Sequence, residues 1–362
     1  MRFYGEKMEN TDNSMINIPF LLRPAGKDYL WGGNRLNTDF HKEINMSPLA
    51  ETWECSVHPD GESVVSGGRF DGMTLADVLR IHPEFMGEGY MNSGEFPLLI
   101  KFIDARQDLS VQVHPDDEYA RIREKNQRGK TEMWYIVDAD EGASIVYGLT
   151  SAIDAETFRK SVENGTLEMY LNRVRVKKGD SFLIEPGTVH AIGGGILIAE
   201  IQENSNLTYR IYDYNRVDKN GKKRELHIAK ALDVARLEPA FAANKIPAEI
   251  SGADREAALC RDNNMSEHEN SAGYPGKEIC SCGYFSVRRI CADEDLQAEI
   301  PADSDTFRVI LCTEGSGRII SGESSLDFRR GDCIFIPACN RKTEICGKSE
   351  ILIVTGIYQN FV

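Results

Sequence analysis

The chain lacks features that would point to a membrane or a nucleic-acid partner. No stretch approaches the ~18 apolar residues that a transmembrane helix needs, and the opening residues, MRFYGEKMENTDNSM, have no apolar core typical of a signal peptide. No run of Lys and Arg interrupts the formal net charge of −15. We therefore expect a cytoplasmic protein with no nucleic-acid or membrane partner, present as a monomer or weak homo-oligomer.

Regular cysteine spacing is also absent from the sequence. The nine cysteines are an odd number, and Cys280 and Cys282 form the only close pair. No second pair lies at zinc-ribbon distance. We therefore expect reduced thiols, as in other cytosolic proteins, rather than a disulfide framework.

Helical patterns are few, and short β-like runs dominate. Runs such as PLLIKFIDA, DSFLIEPG and CIFIPA are separated by Gly, Pro and Asp, a pattern that predicts a β-sandwich or barrel. One helix is predicted at Thr74–Gly87, with Thr74 as its N-cap. Another helical segment is predicted near 154–174, capped by Asp154 and broken at Gly165.

Two parts of the chain share a sequence pattern. Lys177–Gly195, KKGDSFLIEPGTVHAIGGG, parallels Arg329–Ile345, RRGDCIFIPACNRKTEI, and this repeat predicts two copies of one small barrel. The first copy carries His190 where the second has Lys342. Because His268 is the last histidine of the chain, we expect the second barrel to be structural and without a histidine metal site.

A change in composition marks a boundary between the two copies of the repeat. A polar, Gly-bearing and weakly periodic stretch follows residue 246, with a short helix predicted at Asp254–Cys260. We predict a polar extension at 1–18, a catalytic domain at 19–246, a connector at 247–278 and a C-terminal barrel without metal at 279–362.

The stretch LSVQVHPDD suggests a site. As a strand it places Leu109, Val111 and Val113 on one face, and Ser110, Gln112 and His114 on the other. A Gln and a His two residues apart reach the same point in space, as metal ligands do. The polar face either meets solvent or lines a cavity.

A second motif favours the cavity. Gly179 to His190 resembles the second cupin motif: a glycine, a strand, a Pro/Gly turn and a metal-binding histidine. Gln112 and His114, with Glu132 eighteen positions after His114, resemble the first motif, and the segment between them predicts an inserted helical turn and loop. This set of N and O ligands suits Zn²⁺, with Mn²⁺, Co²⁺ and Fe²⁺ as alternatives.

Beyond these motifs, the chain from about Phe20 onward resembles the type I, zinc-dependent mannose-6-phosphate isomerases in their short bacterial form. The segments that carry the resemblance are Leu21–Gly33, Ala50–Ser63, Phe96–Ala120, Gly129–Ile136, Pro186–Gly195 and Ile198–Arg216. It implies a mainly β protein of two cupin domains (jelly-roll β-barrels) with a small helical segment.

The resemblance also implies a reaction and a metal site. One zinc ion per chain would be held by Gln112, His114, Glu132 and His190. The phosphosugar mannose 6-phosphate would be converted reversibly to fructose 6-phosphate by proton transfer through a cis-enediol. Arg210 matches the family's active-site arginine, whose planar cation can stabilise an enediolate or hold a phosphate.

Other residues are candidates for the same site. Lys130 shares a strand face with Glu132, and is predicted to act as an acid/base or to contact a substrate hydroxyl. Glu203 is a second candidate for moving the proton. Ser110 matches a phosphate-side serine of the family, and Lys101 is a further cationic candidate for binding substrate.

Three other functions compete with this one. The first is a cupin isomerase or epimerase of another phosphosugar, which would share the fold and metal. The second is a sugar-binding cupin without catalysis, against which the complete ligand set and Arg210 argue. The third is a metal dioxygenase, which Gln112 in place of the first histidine of the motif disfavours.

Overall fold

The computed structural model describes residues 17–91, 95–217, 221–240, 245–246, 276–292 and 297–358. The predicted connector helix and most of the polar N-terminal extension lie outside these ranges. Within them, no helix is long and apolar enough to span a bilayer.

Strands dominate the described chain. In chain order they are β1 (Phe20–Arg23), β2 (Ala25–Lys27), β3 (Glu51–Cys55), β4 (Val64–Ser66), β5 (Leu98–Ala105), β6 (Val111–Val113), β7 (Glu132–Ala139), β8 (Ser144–Leu149), β9 (Leu171–Arg175), β10 (Ser181–Ile184), β11 (His190–Ala191), β12 (Ile196–Glu203), β13 (Tyr209–Tyr212), β14 (Lys245–Ile246), β15 (Lys277–Ser281), β16 (Phe285–Ala292), β17 (Ala298–Ile300), β18 (Arg308–Ser321), β19 (Ser324–Arg329), β20 (Cys333–Ile336), β21 (Thr343–Cys346) and β22 (Ser349–Gly356).

Helices are short and lie between strands. The α-helices are α1 (Arg35–Thr38), α2 (Leu75–Ile81), α3 (Asp117–Arg123), α4 (Ala155–Glu163) and α5 (Ile228–Val234), with 3-10 turns at Gly68–Phe70, Pro83–Met86 and Leu167–Met169. Thr74 and Asp154 accept N–H groups at the starts of α2 and α4 as N-caps. The mainly β fold predicted from the sequence is confirmed.

Two sheets form the first barrel. The seven-stranded sheet has the order β14-β10-β7-β12-β5-β3-β2, and the five-stranded sheet the order β13-β6-β11-β8-β9. Apolar side chains from both sheets, among them Ile103, Trp134 and Tyr147, share one buried cluster between them. Strand alternation therefore sends every second residue of each sheet into this interior.

The outer faces of the first barrel are also covered. Val111 and Val113 point outward from β6 into a cluster with Phe158 of α4 and Ala231 of α5. Leu109 was predicted to share their face, but it packs inside the barrel, because the regular strand begins only at Val111.

The second barrel is formed by a ten-stranded sheet. Seven of its strands have the order β15-β16-β22-β18-β20-β1-β4, and the other three, β17, β19 and β21, branch from this path. Its interior is filled mainly by isoleucines, such as Ile310, Ile334 and Ile353. The reverse face of the seven-stranded sheet packs against this barrel in one shared core, where Tyr135 and Phe102 meet residues such as Phe335.

The sheets do not divide where the predicted domains do. β1 and β4 come from the predicted catalytic segment, yet β1 pairs with β20 of the C-terminal barrel and with β4. This pairing satisfies the backbone groups that β20 would otherwise leave unpaired at its edge. The helical segment near 154–174 also ends early, since Leu171–Arg175 pairs with β8 as a strand.

Candidate metal centre

Strand register places three predicted site residues side by side. Gln112 lies opposite His190 on one neighbouring strand and opposite Arg210 on the other. Because directly opposed residues of an antiparallel pair share a face, all three side chains enter the barrel interior. His114, two positions after Gln112, follows them onto that face.

A glycine turn fixes the approach of His190. Gly187 donates its N–H to the His114 carbonyl oxygen at 2.9 Å, which joins the turn to the end of β6. Its φ of +83° belongs to the left-handed region, and a Cβ there would lie 2.8 Å from the Val234 carbonyl oxygen. Glycine is therefore required at this position.

Glu132 reaches the same point from the opposite sheet. It begins β7 and is fully buried. The ligand atoms of His114, Glu132 and His190 all lie within 4.8 Å of one another. The structure thus brings together three of the four residues that the sequence predicted as ligands, although His114 and His190 stand 76 positions apart along the chain.

The two histidines present bare nitrogens to the centre. His114 Nδ1 lies 2.8 Å from the Leu207 carbonyl oxygen, and His190 Nδ1 lies 2.8 Å from the Thr188 carbonyl oxygen. A carbonyl oxygen only accepts, so each Nδ1 donates its N–H, and an imidazole in this tautomer has its lone pair on Nε2. Burial, aided by Lys130, lowers the pKa of His114 to about 3, which keeps that ring neutral.

The distances between these atoms match a tetrahedral ion. His114 Nε2 and His190 Nε2 are 3.1 Å apart, and Glu132 lies 3.2 Å from His190 and 3.6 Å from His114. Two ligands about 2.0–2.1 Å from a tetrahedral Zn²⁺ lie roughly 3.3 Å apart. The Gln112 amide is 3.3 Å from His190 Nε2, and rotation of the amide by half a turn would place its Oε1 there.

Buried polar atoms of the cluster also favour a cation as their partner. Both buried carboxylate oxygens of Glu132 lack a hydrogen-bond partner; Lys130 Nζ lies 2.8 Å from Oε2 but only as an ion pair. Two bare imidazole nitrogens facing each other repel unless a cation lies between them. The donor set therefore fits a zinc ion.

Lys130 lies at the edge of this cluster. It is buried, and its Nζ is 3.4 Å from His114 Nε2 as well as close to Glu132. Burial alone would raise the pKa of Glu132, but the opposing effects, of which the charge of Lys130 is the largest, hold that pKa well below its usual range. Glu132 is thus a carboxylate, the form that binds metal.

Lys101 lies in the cavity but is already paired. Its Nζ is 3.0 Å from Glu200 Oε1, and Trp134 donates to the other oxygen of Glu200 at 3.0 Å. Burial would lower the pKa of Lys101, but Glu200 and Glu51 outweigh it and raise that pKa. Lys101 therefore stays charged, and its charge is largely balanced inside the protein.

Arg210 differs from both lysines. Its Nε donates to Ser110 Oγ at 3.3 Å and its Nη1 to the Glu225 carbonyl oxygen at 3.1 Å. Among the described residues it has no carboxylate ion-pair partner, whereas Lys101 and Lys130 each have one. Arg210 and Ser110 therefore lie together, with the cation available to an anionic ligand.

Glu203 lies on the wrong side of its strand for the predicted proton transfer. Gln202 is directly opposite Glu132 and shares its face; alternation turns Glu203 to the reverse side. There Glu203 accepts the Thr131 N–H at 2.7 Å. The prediction that Glu203 moves the proton is therefore corrected.

Two cavity residues on β12 were not predicted from the sequence. Glu200 pairs with Lys101, and Gln202 donates its amide N–H groups to two carbonyl oxygens while its buried Oε1 lacks a partner. The signal was present in ILIAEIQE, where two polar residues two positions apart interrupt an apolar strand. Glu203, the last residue of β12, lies on the other face.

Comparison with known proteins identifies related chains. Residues 20–159 match the family model for the catalytic domain of type I phosphomannose isomerase, and residues 277–355 match that for the cupin domain of mannose-6-phosphate isomerase. Mannose-6-phosphate isomerase ManA of Bacillus subtilis is 37% identical over 341 residues, which cover 94% of this chain and 99% of that protein. The mannose-6-phosphate isomerase of Streptococcus mutans is 35% identical, over 92% of this chain and 97% of that protein.

Solved structures agree with this relationship. The mannose 6-phosphate isomerase from Bacillus subtilis superposes with a TM-score of 0.80 at 34% identity, over 93% of this chain and 99% of that chain. A putative mannosephosphate isomerase from Archaeoglobus fulgidus superposes with a TM-score of 0.72 at 19% identity, which shows a shared fold.

Proposed function

Since the chain belongs to the type I phosphomannose isomerases, we propose that it interconverts mannose 6-phosphate and fructose 6-phosphate beside the cluster of Gln112, His114, Glu132 and His190. The observation that carries this proposal is the pair of bare histidine nitrogens 3.1 Å apart, next to a buried carboxylate without hydrogen-bond partners. A cluster of this kind needs a cation.

Zinc is the metal proposed for this cluster. His114 and His190 would bind through Nε2, Glu132 through its carboxylate and Gln112 through its amide oxygen. When bound, the ion supplies Lewis-acid chemistry, polarising a sugar oxygen. The two Nδ1–H bonds to backbone carbonyls hold the histidine rings in the tautomer that this requires.

Lys130 is the residue proposed to move the proton between C1 and C2 of the sugar. Its Nζ lies 2.8 Å from Glu132 Oε2 at the edge of the cluster, and Lys130 lies on the same face of the strand. Glu203 faces the other way, so Lys130 is the remaining acid/base of the two proposed from the sequence. The intermediate on this route is a cis-enediol.

Arg210 is proposed to bind the negative charge of the substrate. Its guanidinium lacks a described carboxylate partner, and the Ser110 hydroxyl lies beside it. A planar cation of this kind can bind a phosphate or a developing enediolate through two parallel N–H groups. Lys101, paired with Glu200, contributes less free charge and is proposed to contact substrate hydroxyls.

The proposal also includes the cellular location of the protein and its oligomeric state. All eight described cysteines are unpaired, and reduced thiols are typical of the cytosol. We keep a cytoplasmic location, the absence of nucleic-acid and membrane partners, and a monomer or weak homo-oligomer as predictions.

A coupled assay on mannose 6-phosphate tests the proposed reaction. Protein stripped by a chelator should lose the isomerisation and regain it on addition of one equivalent of Zn²⁺ per chain. Glucose 6-phosphate serves as the comparison substrate for the alternative of another phosphosugar isomerase. Full activity after complete metal removal would contradict the metal-dependent reaction, and sugar binding without turnover would favour a non-catalytic cupin.

A further inference from the structure

The segment 129–132 carries two site residues, Lys130 and Glu132, and its backbone is held from the reverse side of the sheet by two carboxyl groups. Asp117 Oδ1 accepts the Gly129 N–H at 2.8 Å, and Glu203 Oε1 accepts the Thr131 N–H at 2.7 Å. Lys130 lies between these two anchored amides, and Glu132 follows directly. The position of the segment therefore depends on the reverse side of the sheet.

One of these carboxylates is itself held by the C-terminal barrel. Tyr284, in the turn between β15 and β16, donates its phenol O–H to Asp117 Oδ2 at 2.8 Å. A chain of hydrogen bonds thus runs from Tyr284 through Asp117 to the Gly129 amide. It links a barrel that contains no His/Cys/Asp/Glu metal cluster in its described residues to the segment that carries Lys130.

Glu203 completes the support from inside the sheet. Its other oxygen, Oε2, is buried and has no hydrogen-bond partner. Burial, followed by the charge of Asp117, raises the pKa of Glu203 to about 8. Glu203 is therefore mostly uncharged at neutral pH. Its contact with the segment is the hydrogen bond that Oε1 accepts from the Thr131 N–H.

We propose that Tyr284, Asp117 and Glu203 are positioning residues, through which the C-terminal barrel sets the geometry of Lys130 and Glu132 at the metal cluster. The proposal rests on the proposed function, but it concerns how the segment that carries Lys130 and Glu132 is held rather than which sugar reacts. Partners that orient a metal ligand typically change metal affinity or activity by roughly 10- to 100-fold when they are removed.

Zinc affinity, measured by competition with a chromogenic chelator in the absence of substrate, is the main test. Glu203→Ala should weaken zinc binding by roughly 10-fold or more, and Glu203→Gln should restore it, since the amide keeps an Oε1 acceptor. Tyr284→Phe, which removes one hydrogen bond, should weaken zinc binding about fivefold and lower kcat more than it changes KM.

A matched phenol at the same interface provides the control. Tyr135 donates its O–H to Glu350 Oε1 of the C-terminal barrel at 2.8 Å. Tyr135→Phe should lower Tm as Tyr284→Phe does, while leaving zinc affinity and kcat unchanged. Equal loss of Tm in both variants with unchanged zinc affinity would overturn the proposal and leave a purely structural interface.

The outcomes separate this inference from the proposed reaction. If Glu203→Ala does not fold, Tyr284→Phe still decides the question through zinc affinity. Wild-type protein that binds zinc tightly but does not isomerise mannose 6-phosphate would contradict the reaction alone. Unchanged zinc affinity in an active Tyr284→Phe variant would contradict the positioning role alone.

Discussion

The turns that precede β10 and β20 use the same hydrogen bond in the two barrels. Asp180 Oδ2 accepts the Lys177 N–H at 3.1 Å, and Asp332 Oδ2 accepts the Arg329 N–H at 2.8 Å. After the first strand the chain turns inward and places His190 in the barrel. After the second, Lys342 remains on the surface, paired with Glu299.

The interiors differ in the same way. The second barrel is filled by isoleucines such as Ile310 and Ile334, whereas the first encloses His114, Glu132 and Lys130 beside its apolar residues. Since buried charges cost free energy that apolar side chains do not, the fold does not need the polar interior. The polar cluster therefore fits the chemistry proposed for the first barrel, and the second barrel has the same scaffold without it.

Replacing His190 and Lys342, which occupy matching positions after the repeated strands, by alanine should produce the largest difference in zinc content and kcat between the two barrels. His190→Ala should remove zinc and lower kcat by roughly 10³-fold or more, because the lost metal chemistry contributes several kcal/mol. Lys342→Ala, at the matching position of the second barrel, should leave zinc content, kcat and Tm unchanged. Metal analysis and the coupled assay measure both variants, and a zinc-loaded, active His190→Ala protein would contradict the ligand assignment.

Removing the guanidinium of Arg210 should affect the reaction but not the metal. Arg210→Ala should lower kcat/KM by roughly 10²- to 10³-fold, as loss of a group that stabilises developing charge does, with zinc content unchanged. Arg159→Ala, an exposed arginine on α4, is the matched control and should retain full activity. Loss of zinc in Arg210→Ala would show that Arg210 supports the cluster rather than the substrate.

Equivalent core positions offer a smaller test of the two interiors. Ile184 and Ile336 end the repeated strands and point into their own barrels. Each Ile→Val change should lower the free energy of unfolding by about 0.5–1.5 kcal/mol, as seen in denaturant titrations. Only Ile184→Val should also weaken zinc binding, because Ile184 lies opposite Glu132; equal zinc affinity in both variants would remove this distinction.

The smallest effect concerns pH. The pKa of Glu203 rises from an ordinary 4.5 to about 8 in the folded chain, through burial and then Asp117, with Arg128 acting the other way. The folded state therefore holds a proton that the unfolded state releases, and this contribution to stability is lost as pH rises toward 8. Relative to Glu203→Gln, wild-type Tm should fall between pH 5 and 8.

An exposed glutamate controls for general effects of pH. Glu163 lies at the end of α4 and is exposed, so Glu163→Gln should follow the wild-type Tm at every pH. If Glu203→Gln also follows it, Glu203 is ionised in the folded protein at neutral pH and the unpartnered Oε2 has another explanation.

Much of this site could be predicted from the sequence, because its residues stand in regular strands. Alternation in VQVH and the spacing to His190 place Gln112, His114 and His190 on one face, and the structure brings them together with Glu132. The N-caps Thr74 and Asp154 were also predictable, since capping is a local interaction.

Other features depend on long-range pairing that no local pattern contains. β1 joins the C-terminal sheet only because β20 has a free edge there. Glu203 and Gln202 differ by one position, yet the register with Glu132 decides which of them enters the cavity. The role of Tyr284 behind the cluster depends on contacts across 167 residues of sequence.

Anomalous diffraction at the zinc absorption edge, from crystals of the zinc-loaded protein, tests the central claim most directly. We expect one peak per chain, about 2.0–2.2 Å from His114 Nε2, His190 Nε2 and a Glu132 oxygen, and none inside the second barrel. A fully loaded protein with no peak at this cluster, or with its zinc bound elsewhere, would contradict the assignment of the metal centre.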